Sequence, residues 1–248
     1  MKHFLKAFSV GAFAVAMAVG SGSAGAQSLT PTYDSFANLS VAELAVINFN
    51  GSGISDYGPV AVTNFASLAT PTSGTPVRLA LAATPRVSGA YTGPAVTNDG
   101  LGTYFAQPGE SPATGSNNAP WNIDYAIVGD TRGLTFQMFF DVAPGVGTPA
   151  NQYLNFSGLL GSGVAGSSVQ STQDSTNLGF FDGGSTYPFN PYLPGEYMLS
   201  LRAFNGATLV DEVAIRVSVV PEPEAYGLAF AGLGVVAFAM RRRRNASA

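Results

Sequence analysis

An all-β fold is predicted for the exterior part of this chain, as a single antiparallel β-sandwich of Ig-like type with a jelly roll as the alternative, and three observations predict it. Charged residues make up only 10% of the sequence, against a usual share of about a quarter, while Gly, Ser, Thr, Asn and Pro are abundant. Several stretches alternate apolar and polar residues with period two, the spacing of a half-buried strand. Those stretches are separated by Gly-bounded or Asn-Gly turns rather than by helical segments.

In chain order, residues 1–26 read first as a secretory signal. Lys2 and Lys6 form a positive start, Ala7 to Val19 an apolar stretch, and Ala24-Gly25-Ala26 a cleavage site that leaves Gln27 as the first mature residue. Export then calls for the Sec translocon and a signal peptidase as partners. Residues 27–219 form the exterior β-domain. Weak strand candidates are Leu44 to Phe49, Val60 to Phe65 and Tyr153 to Phe156. The stronger ones are Val77 to Thr84, Ile123 to Val128 and Leu134 to Val142, the last with Leu134, Phe136, Met138, Phe140 and Val142 on one face. The segment Gly129-Asp130-Thr131-Arg132-Gly133 is expected to close a hairpin between the last two. Two long polar stretches, 84–120 and 143–192, are expected to hold further short strands around Tyr104 and at Leu178 to Phe181.

The clearest hairpin joins Glu196 to Phe204 with Thr208 to Val219 across Asn205-Gly206. A clean two-residue loop at Asn205-Gly206 would put Tyr197, Leu199 and Leu201 on the opposite face from Val213, Ile215 and Val217, splitting the apolar surface. An odd-length loop or a bulge near Asp211-Glu212 restores one shared face and is therefore expected.

The last 29 residues, 220–248, have a different character. Val220-Pro221-Glu222-Pro223-Glu224 carries two prolines that forbid helix and remove two backbone donors, so an extended segment is expected. Residues 225–240 contain no charge and are followed directly by Arg241, Arg242, Arg243 and Arg244. As a helix, that stretch rises about 1.5 Å per residue, roughly 24 Å, short of a hydrocarbon core near 30 Å unless flanking residues snorkel. The arginines of the tail 241–248 place the C-terminus in the cytoplasm and the rest of the chain outside.

Pro221-Glu222-Pro223, a short Gly- and Ala-rich apolar helix and a terminal Arg cluster together resemble the PEP-CTERM sorting signal. That resemblance implies a Gram-negative envelope and processing by an exosortase, an integral-membrane cysteine transpeptidase. It also implies a precursor in the inner membrane, a mature form at the cell surface or outside the cell, and association with exopolysaccharide. Pro221, Glu222 and Pro223 carry over as the recognition residues. The exterior segments Thr97 to Gly100, Trp121 to Asp124, Gln173 to Phe180 and Pro194 to Tyr197 resemble stretches of uncharacterised PEP-CTERM exterior domains, which imply no active site.

The distribution of charge and chemistry narrows the functional classes. Lys2, Lys6 and His3 all lie in the first six residues, and between residues 27 and 220 five arginines face thirteen carboxylates, a net charge of about −8. Such a surface repels phosphate backbones, so nucleic acid is not an expected partner. The mature segment lacks His, Cys and Lys, which excludes Ser-His-Asp and Cys-His nucleophiles, Lys Schiff bases, P-loops and His/Cys zinc sites. No enzyme activity, metal or cofactor is expected. Three narrower possibilities remain. Asp124 and Asp141, on neighbouring strands, are the carboxylate pair to test for glycoside hydrolysis. Asn98-Asp99, Asp130, Asp174 to Asn177 and Asp182 are read as turn-forming residues rather than calcium ligands, since none fits an EF-hand loop. Trp121, Tyr91 and Tyr104, with Tyr187 and Tyr192, are candidate sugar platforms. The expected function is thus that of an exported envelope or matrix protein, structural or adhesive, with a carbohydrate-binding module as the alternative.

Overall fold

Alternation of β-branched and aromatic residues with polar ones makes strands of most of the exterior segment, and a computed structural model describes residues 30–47, 49, 58–66, 68, 75–112, 117–140, 152–155, 170–181, 189–221 and 233. In order, these contain β1 (Ser35–Asn38), a one-turn helix α1 (Val41–Leu44), β2 (Pro59–Phe65), β3 (Val77–Pro85), β4 (Val87–Ser88), β5 (Tyr91–Thr92), β6 (Thr97–Asn98) and β7 (Thr103–Ala106). There follow β8 (Trp121–Gly129), β9 (Thr135–Phe140), β10 (Gln152–Asn155), β11 (Gln170–Thr176), a 3-10 turn (Leu178–Phe181), β12 (Gly195–Asn205) and β13 (Thr208–Val219). The strands form a five-stranded sheet, β1-β2-β3-β8-β11, a six-stranded sheet, β10-β9-β12-β13-β7-β6, and the small pair β4-β5.

The two large sheets meet across one hydrophobic cluster. From the six-stranded sheet come cross-strand rows that share a face: Phe140 beside Leu199 beside Ile215, Met138 beside Leu201 beside Val213, and Tyr104 beside Val217 beside Tyr197. From the other sheet come Leu79, Leu81, Trp121, Ile123 and Ile127, all buried. Trp121 touches Tyr197 edge to face across the gap, with ring centroids 5.7 Å apart, a geometry that adds to area burial. Each buried Leu, Ile or Phe contributes about 1.5–3 kcal/mol relative to its exposed state, so stability here rests on packing in a chain without cysteine.

The β12–β13 hairpin carries the expected irregularity. Its loop is Gly206-Ala207, one residue later than Asn205-Gly206, because Asn205 pairs with Thr208. Gly206 has φ +60° at the first central position, where a type II′ turn needs glycine. The register then shifts between Ala203 and Phe204, leaving Val210 as the extra residue between Leu209 and Asp211. Beyond this bulge Leu201 faces Val213, Leu199 faces Ile215 and Tyr197 faces Val217, so all six side chains reach the same core.

Four expectations are corrected. The Gly129–Gly133 segment does not close a hairpin: β8 lies between β3 and β11, whereas β9 lies between β10 and β12. Both edges of β8 are taken, by β3 and β11, so the chain crosses to the other sheet. The corner is built by Gly129 at φ +113°, where an added Cβ would fall 2.1 Å from the Pro76 carbonyl oxygen, and by a bidentate contact of Arg132 to buried Asp130. Of the strand expected at Leu44 to Phe49, the described residues, Leu44 to Ile47 and Phe49, are not strand. Ser40 and Glu43 form a capping box, with the Ser40 N–H donating to Glu43 Oε2 at 2.7 Å, and this starts a helical turn instead. Leu178 to Phe181 is a 3-10 turn, begun by the Phe180 N–H donating to the Asn177 carbonyl. Finally, the six-stranded sheet is not purely antiparallel, since β7 runs parallel to β13; the long connection between them makes that pairing possible. The strand expected near Tyr104 is present as β7.

The five-stranded sheet is buried on its second face as well. Ala80, Ala82 and Ala126 line it, and Gln173, on the same face, ties down the stretch after α1 by donating from Nε2 to the Val46 carbonyl and accepting from the Phe49 N–H. Small side chains there leave room for Ile47 and Phe49, both 1% exposed.

Candidate functional site

The C-terminal end of β13 is where the chain leaves the folded sheets. Val-Ser-Val alternation keeps Val217 and Val219 in the core while Arg216 and Ser218 face outward. Val219 pairs with Gly195 on one side and with Ala106 on the other. One further bond, from the Val220 N–H to the Ala106 carbonyl at 2.9 Å, closes the ladder. Pro221 cannot continue it, having no N–H to donate, and the strand ends at Val219. Val220 is 45% exposed. A single residue thus separates the last buried side chain from Pro221. Glu222, Pro223, the apolar stretch 225–240 apart from Leu233, and Arg241 to Arg244 lie outside the described residues, as do Ala24, Ala26 and Gln27. No helix among the described residues is long and apolar enough to cross a membrane.

The aromatic candidates are placed by the core rather than by a binding face. Trp121 and Tyr104 are each 2% exposed, and the Tyr104 hydroxyl donates to the Pro59 carbonyl. Neither offers a ring face to a sugar, so both are corrected to core residues; a Trp that opens a strand on its inward phase points to the opposite sheet. Tyr91, in β5, is half-buried beside Arg86. Tyr187 lies outside the described residues. Tyr192 is exposed, at the end of the domain where β13 finishes.

The strands expected to carry the carboxylate pair are not neighbours, since β8 and β9 belong to different sheets. Asp124 belongs to the five-stranded sheet and is 0% exposed, while Asp141 lies outside the described residues, just past β9 of the other sheet. Burial pushes the Asp124 carboxyl up to about 7. The Ser175 and Thr84 hydroxyls beside it oppose that rise and the charge of Asp174 adds to it. Neither carboxyl oxygen completes a well-formed hydrogen bond among the described residues. The group sits in an apolar layer with Ala82 opposite on one side and Ser175 on the other, which shuts it away from any substrate.

The Asp and Asn clusters hold backbone. Asn98 Oδ1 accepts from the Gly100 N–H at 3.0 Å, and Asp99 Oδ1 accepts from Leu101 and Thr103 at 2.7 and 3.0 Å. Burial works against the charged form of Asp99, yet these N–H donors hold its carboxyl below the usual range. Asp174 accepts from the Ser175 N–H and Asp130 from the Arg132 side chain. Asp182 lies outside the described residues.

One constellation was not foreseen in the sequence. Asn177, 0% exposed, donates from Nδ2 to the Ala119 and Trp121 carbonyls and to Asn122 Oδ1, and accepts on Oδ1 from the Ala119 and Gly179 N–H groups. Asn122 in turn donates to Ser175 Oγ and accepts from Arg86 Nη1 at 3.2 Å. Arg86 is 6% exposed, lies against the Phe180 ring, and is held below its usual range by burial, which the nearby Tyr91 opposes. This network locks the start of β8 to the end of β11. It joins Trp121-Asn122-Ile123-Asp124 to Gln173 through Phe180, two of the stretches singled out in the sequence. Their shared role is architectural, and the only signal available beforehand was the richness in Asn beside an aromatic.

Comparison with known proteins returns a PEP-CTERM protein-sorting motif over residues 219–244. No curated protein and no solved structure matches the chain. The matched segment begins on Val219, the last residue of β13, so the motif starts on the folded core itself. It implies an exported chain, a membrane-anchored precursor and an exosortase as processing partner. With Pro221-Glu222-Pro223 inside the matched segment, this chain takes its place among proteins that carry the PEP-CTERM protein-sorting motif.

Proposed function

We propose that the chain is a non-catalytic envelope or extracellular-matrix protein, delivered through the Sec translocon and signal peptidase, then sorted by an exosortase through Pro221, Glu222 and Pro223. The observation that carries this reading is the motif match at 219–244, joined without a linker to the last core strand. In the precursor, residues 225–240 span the inner membrane with Arg241 to Arg244 in the cytoplasm; the mature form reaches the cell surface or the medium, in a Gram-negative cell that makes exopolysaccharide. For residues 27–219 we read a single β-sandwich of Ig-like type, supported by the core that the two sheets share.

A scaffold or adhesive role is supported by how the distinctive side chains are used. Asn177, Asn122, Asp99 and Tyr197 are all consumed in holding backbone or packing the core. The carbohydrate-binding alternative loses Trp121 and Tyr104 to the interior, and the glycosidase alternative loses Asp124 to it. The test is substitution of Pro221, Glu222 and Pro223 together by Ala in a host that has an exosortase. The variant is expected to stay at full length in the membrane fraction while the parent is shortened. Equal shortening of both would overturn the reading.

A further inference from the structure

The end of the domain from which β13 exits carries exposed apolar side chains. Gly195 of β12 pairs with Val219, so the turn of Tyr192, Leu193 and Pro194 enters the sheet at the same end from which Val220 and Pro221 leave it. Tyr192 is 59% exposed, and Leu193 and Val220 are each 45% exposed. These side chains are held rather than loose. The Leu193 N–H donates to the Asn190 carbonyl and the Tyr192 N–H to Asn190 Oδ1, closing a turn with Pro191 inside it. The Pro191 carbonyl accepts from the Gly109 N–H, the Leu193 carbonyl accepts from the Tyr197 hydroxyl, and the Tyr192 hydroxyl donates to Glu110 Oε2 at 3.0 Å. A rigid turn therefore presents an aliphatic side chain and an amphipathic ring outward, at the one end of the sheets from which the chain departs.

How far that end can stand from a bilayer follows from covalent reach. Only Val220 to Glu224 separate the last buried residue from the uncharged stretch, and five residues at full extension cover at most about 17 Å. The headgroup layer occupies roughly 5–8 Å of that on each side of the hydrocarbon. We infer that Tyr192, Leu193, Pro194 and Val220 form a membrane-docking surface that seats the folded domain on the outer face of the bilayer. This rests on the reading of 225–240 as a membrane span. Tyr at the headgroup level with an aliphatic neighbour is the side-chain pairing that suits the interface. The occupant is a zwitterionic interface rather than an anionic one, because Glu110 lies against Tyr192 and the sequence adds Glu222 and Glu224 within four residues of Val220, carboxylates that repel anionic headgroups. Docking holds the Pro-Glu-Pro segment at the depth of a membrane-embedded enzyme.

The absence of cysteine from the chain makes site-specific labelling direct. Full-length Leu193→Cys, Val220→Cys, Ala207→Cys and Gly232→Cys variants, each carrying one bimane, are reconstituted in phosphatidylcholine vesicles with and without brominated acyl chains. Ala207 sits in the loop at the far end of β12, about 35 Å away at the rise of a strand. Labels at 193, 220 and 232 are expected to lose emission to the bromines, and the label at 207 to keep it. Emission at 193 and 220 as insensitive as at 207, with loss at 232, overturns the docking surface and leaves the span standing. Insensitivity at 232 as well overturns both.

Discussion

Asp124→Asn isolates the cost of a buried carboxyl. Burial raises the folded-state value from 3.8 to about 7, while in the unfolded chain the group titrates near its ordinary value. Between those two points the native state holds a proton that the unfolded state has lost, so stability falls as pH rises, by about 1.4 kcal/mol per pH unit. The stability is fully present below about pH 4 and the loss is complete above about pH 7, for a total of about 4 kcal/mol. Asn keeps the shape and the hydroxyl neighbours Ser175 and Thr84 without the charge. The variant should therefore match the parent near pH 4 and exceed it at pH 8, by about 10 °C in Tm for a chain of this size. Circular-dichroism melts of both full-length proteins in detergent across that range read the difference, in which the other carboxylates cancel. Parallel pH profiles, or a variant less stable at pH 8, would refute the buried-carboxyl argument.

Two further outcomes follow from the packing. Asn177→Ala leaves the Ala119 and Gly179 N–H groups and the Ala119 and Trp121 carbonyls without that partner, and should cost about 3–5 kcal/mol in denaturant unfolding; a loss below about 1 kcal/mol would mean that the network is dispensable. Deleting Val210 removes the bulge but leaves Phe204 opposite Leu209 and Ala203 opposite Asp211 as consecutive pairs, so Tyr197, Leu199 and Leu201 keep their shared face with Val213, Ile215 and Val217, whereas deleting Ala214 inside β13 turns Ile215 and Val217 away from it. The Val210 deletion should keep a cooperative melt and the Ala214 deletion should fail to give one; equal effects would contradict the register argument.

Much of the fold was legible because period-two alternation survives in strands with one solvated face. Phe136, Met138 and Phe140 alternate with half-buried Gln137 and Phe139, and the shared-face requirement on β12 and β13 demands an irregularity of the kind found at Val210. Pairing was harder to read. β8 is buried on both faces, so its alternation of Ile with Ala and Asp described two interior surfaces rather than inside and outside, and nothing local told a hairpin from a crossing between sheets. The same blindness misplaced Asp124: a carboxylate on the polar phase of a strand is solvated only if that phase faces water, and here a second layer containing Ile47 and Phe49 covers the sheet. At α1 the Ser40-x-x-Glu43 capping box was present in the sequence and outweighed the apolar run after it. The sorting signal was legible for a different reason, since an enzyme must read Pro221-Glu222-Pro223 as a linear segment.

Mass spectrometry of both termini of the mature protein from an exosortase-bearing host tests the central claim most directly. Gln27 at the start and loss of the segment that follows Pro221-Glu222-Pro223 are the predicted result. A chain that still ends in Ala248 would contradict it.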